Sequence, residues 1–474
     1  MTFDPESWDS FREYAHKSID IAINHLATIR QRPVWQAPPS RAASQIPLHG
    51  EALDSVLEEF ERTILPYGGG NIHPGFMGWV QGAGTPIGLI AELMSATMNA
   101  NCGGRHHAAI GVELEVTEWM RSFFSFPEGV RGIFTTGASQ ANFLAVLIAR
   151  VHAIGVATRA HGYDAHTSGL TAYASKEVHG CVSRAMELAG VGSDFLRLIG
   201  TDEYYKIDLV ELAETVERDR AAGLKPFLLI GNAGSVNTGS IDPLAALSQF
   251  AKSQGMYFHV DAALGAFAMA DTDLAGRFEG IQHADSIAFD FHKWAHVPYD
   301  AGFLLSRSAD LHDATFASEA SYLSRASRGL AAGDWWPTDS GPDLSRGFRA
   351  LKAWFTLKTY GFEAIGENIR YNCNCAMHLA DRIAAEDSLA LAAPVSLNIV
   401  CFGFIGENAA ERNRRVVELL HEDGQFAPSL TFLNGHPVVR AAIMNHRTLK
   451  SDMDGFIDRL IMLDASYGQD EGSR

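Results

Sequence analysis

Met256-Tyr257-Phe258-His259-Val260-Asp261-Ala262-Ala263 is a short apolar run that closes on a carboxylate followed by small residues. Its length and its aromatic and β-branched content read as a buried strand. Ligands of open α/β sheets sit outside the carboxyl ends of such strands, so Asp261 points into a site. A carboxylate there can hold a pyridine nitrogen protonated; the plainer alternative is an aspartate that caps the strand end.

Working outward, a second apolar run, Ser286 to Phe289, leads into Asp290-Phe291-His292-Lys293-Trp294. A lysine set between aromatic residues is partly desolvated, which lowers its pKa and favours the amine or imine over the ammonium. The flanking Phe291 and Trp294 argue against an ordinary surface lysine. Upstream, Gly132-Ile133-Phe134-Thr135-Thr136-Gly137-Ala138-Ser139-Gln140-Ala141-Asn142 reads as a strand, a small-residue turn and a helix with Leu144, Leu147 and Ile148 on its apolar side. Backbone N–H groups and the Ser139 hydroxyl at that helix start would favour a phosphate. The alternative is a routine loop capped by Thr136 or Ser139. In Ala174-Ser175-Lys176-Glu177-Val178-His179-Gly180, His179 follows a further strand and precedes a helix reaching about Ala189. Its imidazole either stacks on a planar cofactor or is structural.

From about residue 75 to 350, short apolar runs alternate with helical stretches, with further strands at Gly132 to Thr135, Thr171 to Ala174, Phe227 to Gly231 and Phe303 to Leu305. This is the pattern of an α/β domain with a mostly parallel central sheet flanked by helices. Before it, residues 6 to 31 carry Trp8, Phe11, Ile19, Ile23 and Leu26 at helical spacing, then Pro33, Pro38 and Pro39, then a helix from Leu53 to Leu65. Such an arm, residues 1–75, cannot bury its stripe alone and is expected to dock on the main domain (76–349) or on a partner subunit. After Arg349, helical runs from Ala350 to Tyr360 and Phe362 to Ala385, a strand within Val395 to Phe404, another helix and a strand from Val438 to Ile443 outline a small α+β carboxy-terminal domain, 350–474. Residues 321–341, with Trp335 and Trp336 among glycines, read as a long loop able to act as a mobile lid.

The bulk properties narrow the function. A chain of 474 residues, 47% hydrophobic, can bury the core of a metabolic enzyme. Acidic residues outnumber basic ones by 56 to 38 for a formal charge of -18, and no dense Lys/Arg run occurs, so nucleic acid is not an expected partner. The amino terminus has early acidic residues and no apolar core, and no stretch of about 20 residues is uniformly apolar; a cytoplasmic protein without membrane association is expected. Five cysteines, of which only Cys373 and Cys375 lie close, read as buried reduced thiols. His106 and His107 lack a third ligand at suitable spacing, so no metal is expected.

Taken in order, Ser175-x-x-x-His179, His259-Val260-Asp261-Ala262-Ala263 and His292-Lys293-Trp294 resemble the pyridoxal-phosphate (PLP) dependent group II amino-acid decarboxylases, above all the aromatic-L-amino-acid decarboxylase branch. The likeness covers nearly the whole chain, including the arm ending near His73-Pro74, the run Arg349 to Phe355, and Arg440-Ala441-Ala442-Ile443. It implies the type I, aspartate aminotransferase-like PLP fold, with active sites at a homodimer interface. It further implies that Lys293 holds PLP as a Schiff base, Asp261 pairs with the pyridine nitrogen, His179 stacks on the ring, and Ala138, Ser139 and His292 hold the phosphate. The family's loop tyrosine, which protonates the substrate carbon, matches Tyr322. Relatives with Phe there tend to form aldehydes oxidatively, so Tyr322 implies decarboxylation of an L-amino acid to amine and CO2. Oxidative aldehyde synthesis is the alternative, and a transaminase or a non-catalytic PLP-binding relative comes after it.

Several positions depart from the family. Asp290 stands where animal enzymes often have Asn, and would place negative charge near a phosphate unless protonated or turned away. Val236 stands where the family has Thr, leaving Ser235 as the local hydroxyl. Trp79 matches an aromatic pocket position and favours a bulky or aromatic substrate. Gly103 would enlarge the pocket, and Arg105 could attract an anionic group.

Overall fold

The computed structural model describes residues 2–41, 46–162, 168–318 and 324–471. They form two compact units, one of Val80–Ala376 with Ala393–Cys401, the other of Met1–Trp79, Met377–Ala392 and Phe402–Arg474.

The larger unit is built on seven strands: β1 (Arg131–Thr135), β2 (Leu170–Ser175), β3 (Leu196–Ile199), β4 (Lys225–Asn232), β5 (Tyr257–Asp261), β6 (Ser286–Asp290) and β7 (Gly302–Ser306), in the order β1-β7-β6-β5-β4-β2-β3. Only β7 runs against its neighbours, pairing antiparallel with β1 and β6; the other pairs are parallel. The expected mostly parallel sheet is therefore present. Strands β2, β5, β6 and β7 are buried along their whole length, as strands covered on both faces must be. That burial is why they read as unbroken apolar runs. The edge strand β3 is four residues long and only its ends are buried, so it gave no comparable signal.

Helix Ala138–Ile154 packs across β4 to β7 and buries Ala141, Leu144, Ala145 and Ile148 in the main core. Its approach depends on a glycine. Thr135 of β1 and Asp290 of β6 both pair with Gly302 of β7, and a side chain at Gly302 would run into the backbone of Gly137. With hydrogen there instead, the turn after β1 lies directly on β7, beside Asp290.

The smaller unit holds the amino-terminal helices Trp8–Ala27 and Leu53–Thr63 and helices Ala409–Asp423 and Lys450–Glu471. Its sheet joins β8 (Leu389–Leu391), β9 (Ile399–Phe404), β10 (Ser429–Leu433) and β11 (His436–Ala442) in the order β10-β11-β9-β8. The division between units passes through β9. Helix Arg349–Ala384 breaks at Gly361 (φ 74°, ψ 167°), the residue at which the two helical sequence runs part. No helix among the described residues is long and apolar enough to cross a membrane.

Candidate active site

Parallel strands end on one side of a sheet, and the larger unit uses this to gather charge. Strands β5 and β6 are neighbours whose carboxyl ends carry Asp261 and Asp290. The helix that follows β1 starts at the same edge with Gly137 as its N-cap, and no side chain caps it locally. Thr136 does not serve as cap: its backbone N–H and hydroxyl both donate to Gln140 Oε1, at 2.9 and 3.1 Å. Ser139 is exposed. The Ala138 N–H instead donates to Asp290 Oδ1 at 2.7 Å.

Asp290 is therefore turned toward the helix start, and its charge is paired. Its Oδ2 lies 2.9 Å from Lys293 Nζ and 3.6 Å from His292 Nε2, with the carboxylate only 3% exposed. This reverses one expectation from the sequence. Burial acts most strongly, to lower the Lys293 pKa, but Asp290, Asp261 and Tyr299 together oppose it and the net direction is up. Asp290 is thus a counter-ion that favours the ammonium form of Lys293. Burial lowers His292, with Asp290 opposing. His292 Nδ1 accepts from the Ala301 N–H at 3.1 Å, so a neutral ring carries its proton on Nε2, facing Asp290. Its ring lies 4.2 Å from that of Tyr299.

Asp261 is held differently, by neutral donors. Its Oδ2 accepts from Asn142 Nδ2 at 2.9 Å and its Oδ1 from the Ala263 N–H at 3.1 Å. Asn142 Oδ1 in turn meets His259 Nε2 at 2.7 Å, and His259 Nδ1 meets Ser286 Oγ at 2.8 Å. An amide oxygen only accepts, so His259 carries its proton on Nε2 and takes one from the Ser286 hydroxyl on Nδ1. Burial pushes His259 down to about 4, which keeps the ring neutral. Asn142, His259 and Ser286 were not singled out from the sequence, although signals exist. His259 sits two residues before Asp261 and so shares its strand face. Asn142 is a polar residue on the buried stripe of a helix, four residues after Ala138 and three before Ala145.

The remaining candidates are spread more widely. His179 is exposed beyond β2, with Nδ1 accepting from the Cys181 N–H at 3.2 Å. The Cys181 thiol, at the start of the helix after β2 and pushed up to about 11 by burial, accepts from Asn142 Nδ2 at 3.4 Å, which links this segment to the amide that holds Asp261. Arg105 stacks on Trp336, 4.5 Å from the ring centre, and a side chain at Gly103 would strike the Leu344 carbonyl. The Ser235 hydroxyl is engaged within its own turn by Thr238 (3.0 Å) and Ser240 (2.9 Å). Trp79 belongs to the smaller unit, half exposed, near the rings of Phe76 and His421. Tyr322 lies outside the described residues.

A model of the pyridoxal-dependent decarboxylase conserved domain matches residues 39–405. The chain belongs to this family. An aromatic-L-amino-acid decarboxylase of Bacillus atrophaeus is 27% identical over 465 residues, covering 94% of both chains. A phenylacetaldehyde synthase of Arabidopsis thaliana is 28% identical over 463 residues, covering 93% of this chain and 92% of its own. In three dimensions the decarboxylase fold superimposes on an Oryza sativa TDC solved with PLP and tryptamine, with a TM-score of 0.89 at 22% identity over 98% of this chain and 100% of the other. The fold is thus that of the type I PLP enzymes, the cofactor is PLP, and the enzyme is a PLP-dependent amino-acid decarboxylase. The chain's own residues fit that cofactor: a lysine amine, a carboxylate fixed by two donors, and a helix amino terminus without a local cap share one sheet edge.

Proposed function

We propose that this decarboxylase converts an L-amino acid with a bulky or aromatic side chain to its amine and CO2, acting as a homodimer. The observation that carries the reading is the placement of Asp261 and of Asp290, which holds Lys293, at the carboxyl ends of adjacent parallel strands, beside the start of helix Ala138–Ile154. Bound PLP supplies an electron sink for the pair released when a bond at the substrate Cα breaks. Lys293 is the amine that carries the cofactor. Asp261 would pair with the ring nitrogen and favour its protonated form. His179 covers one face of the ring, and Ala138, Ser139 and His292 hold the phosphate. Tyr322 delivers the proton to the carbon that has lost its carboxylate, as a neutral phenol with an ordinary pKa of about 10. Gly103 and Arg105 shape the substrate end, and the aromatic substrates named for several relatives support a large side chain.

The test is to incubate the PLP-loaded protein with the common L-amino acids and measure CO2, amine, aldehyde, keto acid and peroxide together. Equal amounts of CO2 and amine from an aromatic substrate are expected. Aldehyde with stoichiometric peroxide, or keto acid without CO2, would overturn the reading. Tyr322→Phe should depress amine formation by about 10²-fold or more, the usual contribution of a positioned acid; unchanged output removes Tyr322 from the reaction.

A further inference from the structure

Asp290 is the one residue of the site whose charge conflicts with the cofactor it serves. Its carboxylate occupies the Ala138 N–H at 2.7 Å and pairs with Lys293 at 2.9 Å, almost wholly buried. The nearest atoms to a side chain built on Gly137 would be His292 and Asp290, so the turn and the carboxylate are in direct apposition. A backbone N–H has one hydrogen, and it cannot serve a carboxylate and a phosphate fully at once. A carboxylate and a phosphate competing for one donor also repel, the more so out of water.

We propose that Asp290 is a built-in anion that competes with the cofactor's phosphate for the Ala138 N–H and so weakens cofactor binding. The carboxylate satisfies the helix amino terminus and neutralises the Lys293 ammonium. Phosphate binding exchanges one anion for another at the Ala138 N–H. Loading is consequently weaker than the same cradle would allow without that charge. Asn at this position keeps an oxygen for the Ala138 N–H and brings no competing charge. The inference rests on the reading that the turn at Gly137 to Ser139 receives the phosphate and Lys293 receives the carbonyl.

The experiment compares Asp290→Asn with the unaltered protein for two ligands that form no link to Lys293: pyridoxamine phosphate and pyridoxamine. Competition predicts that pyridoxamine phosphate binds about tenfold more tightly to the variant, whereas pyridoxamine changes by less than about twofold. Unchanged or weaker binding of pyridoxamine phosphate, or equal tightening of both ligands, overturns the proposal. Asp290→Ser, which removes the charge with a smaller polar group, gives the same comparison should the Asn variant fail to fold. Borohydride reduction of the PLP-loaded proteins followed by peptide mapping separates the two ideas. An adduct on Lys293 with no shift in ligand affinity leaves the site reading intact and sinks only the role of Asp290. An adduct elsewhere sinks the site reading itself.

Discussion

The carboxyl edge of the central sheet and the loop layer made by residues 101–107 and 330–346 lie in the same unit but are held by opposite means. At the sheet edge, regular strands launch Asp261, Asp290 and Lys293, and a few short hydrogen bonds from Asn142, Ala138 and Ala263 finish the placement. In the loop layer the backbone is irregular and is fixed by side chains reaching into it. Arg346 donates to both oxygens of Glu113 (3.0 and 2.6 Å) and to the carbonyls of Cys102 and Phe134, while Glu113 also accepts from the Phe134 N–H. Trp336 is buried with its indole N–H on the Ala332 carbonyl, and the two loop strands meet through Cys102 N–H to Arg346, His106 N–H to Leu330 and Thr338 N–H to Gly103. The first region depends on sheet register. The second depends on one buried ion pair and one large ring.

The sharpest way to break this contrast is Arg346→Met. It leaves Glu113 charged and unpaired at 2% exposure, and removing one member of a buried pair costs about 3–5 kcal/mol. Denaturant unfolding should show that loss; a cost below about 1 kcal/mol would mean that the loop layer does not lean on the pair. Next in size is Gly302→Ala at the sheet edge. The added methyl meets the Gly137 backbone, and overpacking of this kind costs about 1–3 kcal/mol. PLP affinity should weaken in the same variant, because the turn that moves is the one offered to the phosphate. Unaltered stability together with unaltered affinity would show that the close approach is dispensable.

The smallest effect at neutral pH belongs to His259. Its folded pKa, about 4, lies below the ordinary value of 6.5, so between those values the unfolded chain binds the extra proton. Stability therefore falls as pH drops from about 6.5 toward 4, by up to about 1.4 kcal/mol per unit from this group. His259→Gln should flatten the slope in that window, leaving the share of His312, which burial also pushes down to about 4. An identical slope in both proteins would show that His259 is not buried neutral.

The same contrast explains what could be read without coordinates. Strands β1, β2, β4, β5, β6 and β7 were legible because double-sided burial leaves unbroken apolar runs, and the break at Gly361 because the helical pattern stops there. Asp261 and Lys293 were legible because each directly follows or ends such a run. The Asn142–His259–Ser286 chain was present in the quoted segments yet passed over, since a polar residue on a buried stripe declares itself only when its partner is known. The Arg346–Glu113 pair joins residues 233 positions apart, and no local pattern announces it.

By itself, then, the sequence determined the α/β class, the strand whose end carries Asp261 and the lysine beside it, because periodicity and burial are local properties of the chain. Only the tertiary structure decided that Lys293 is favoured as an ammonium, that Asp290 rather than a local hydroxyl caps the helix at Ala138, and that Asp261 is fixed through a neutral histidine. Those outcomes depend on which groups the fold brings within about 3 Å of one another and how far it buries them, and the balance of charge against burial falls differently at Lys293 and at His259.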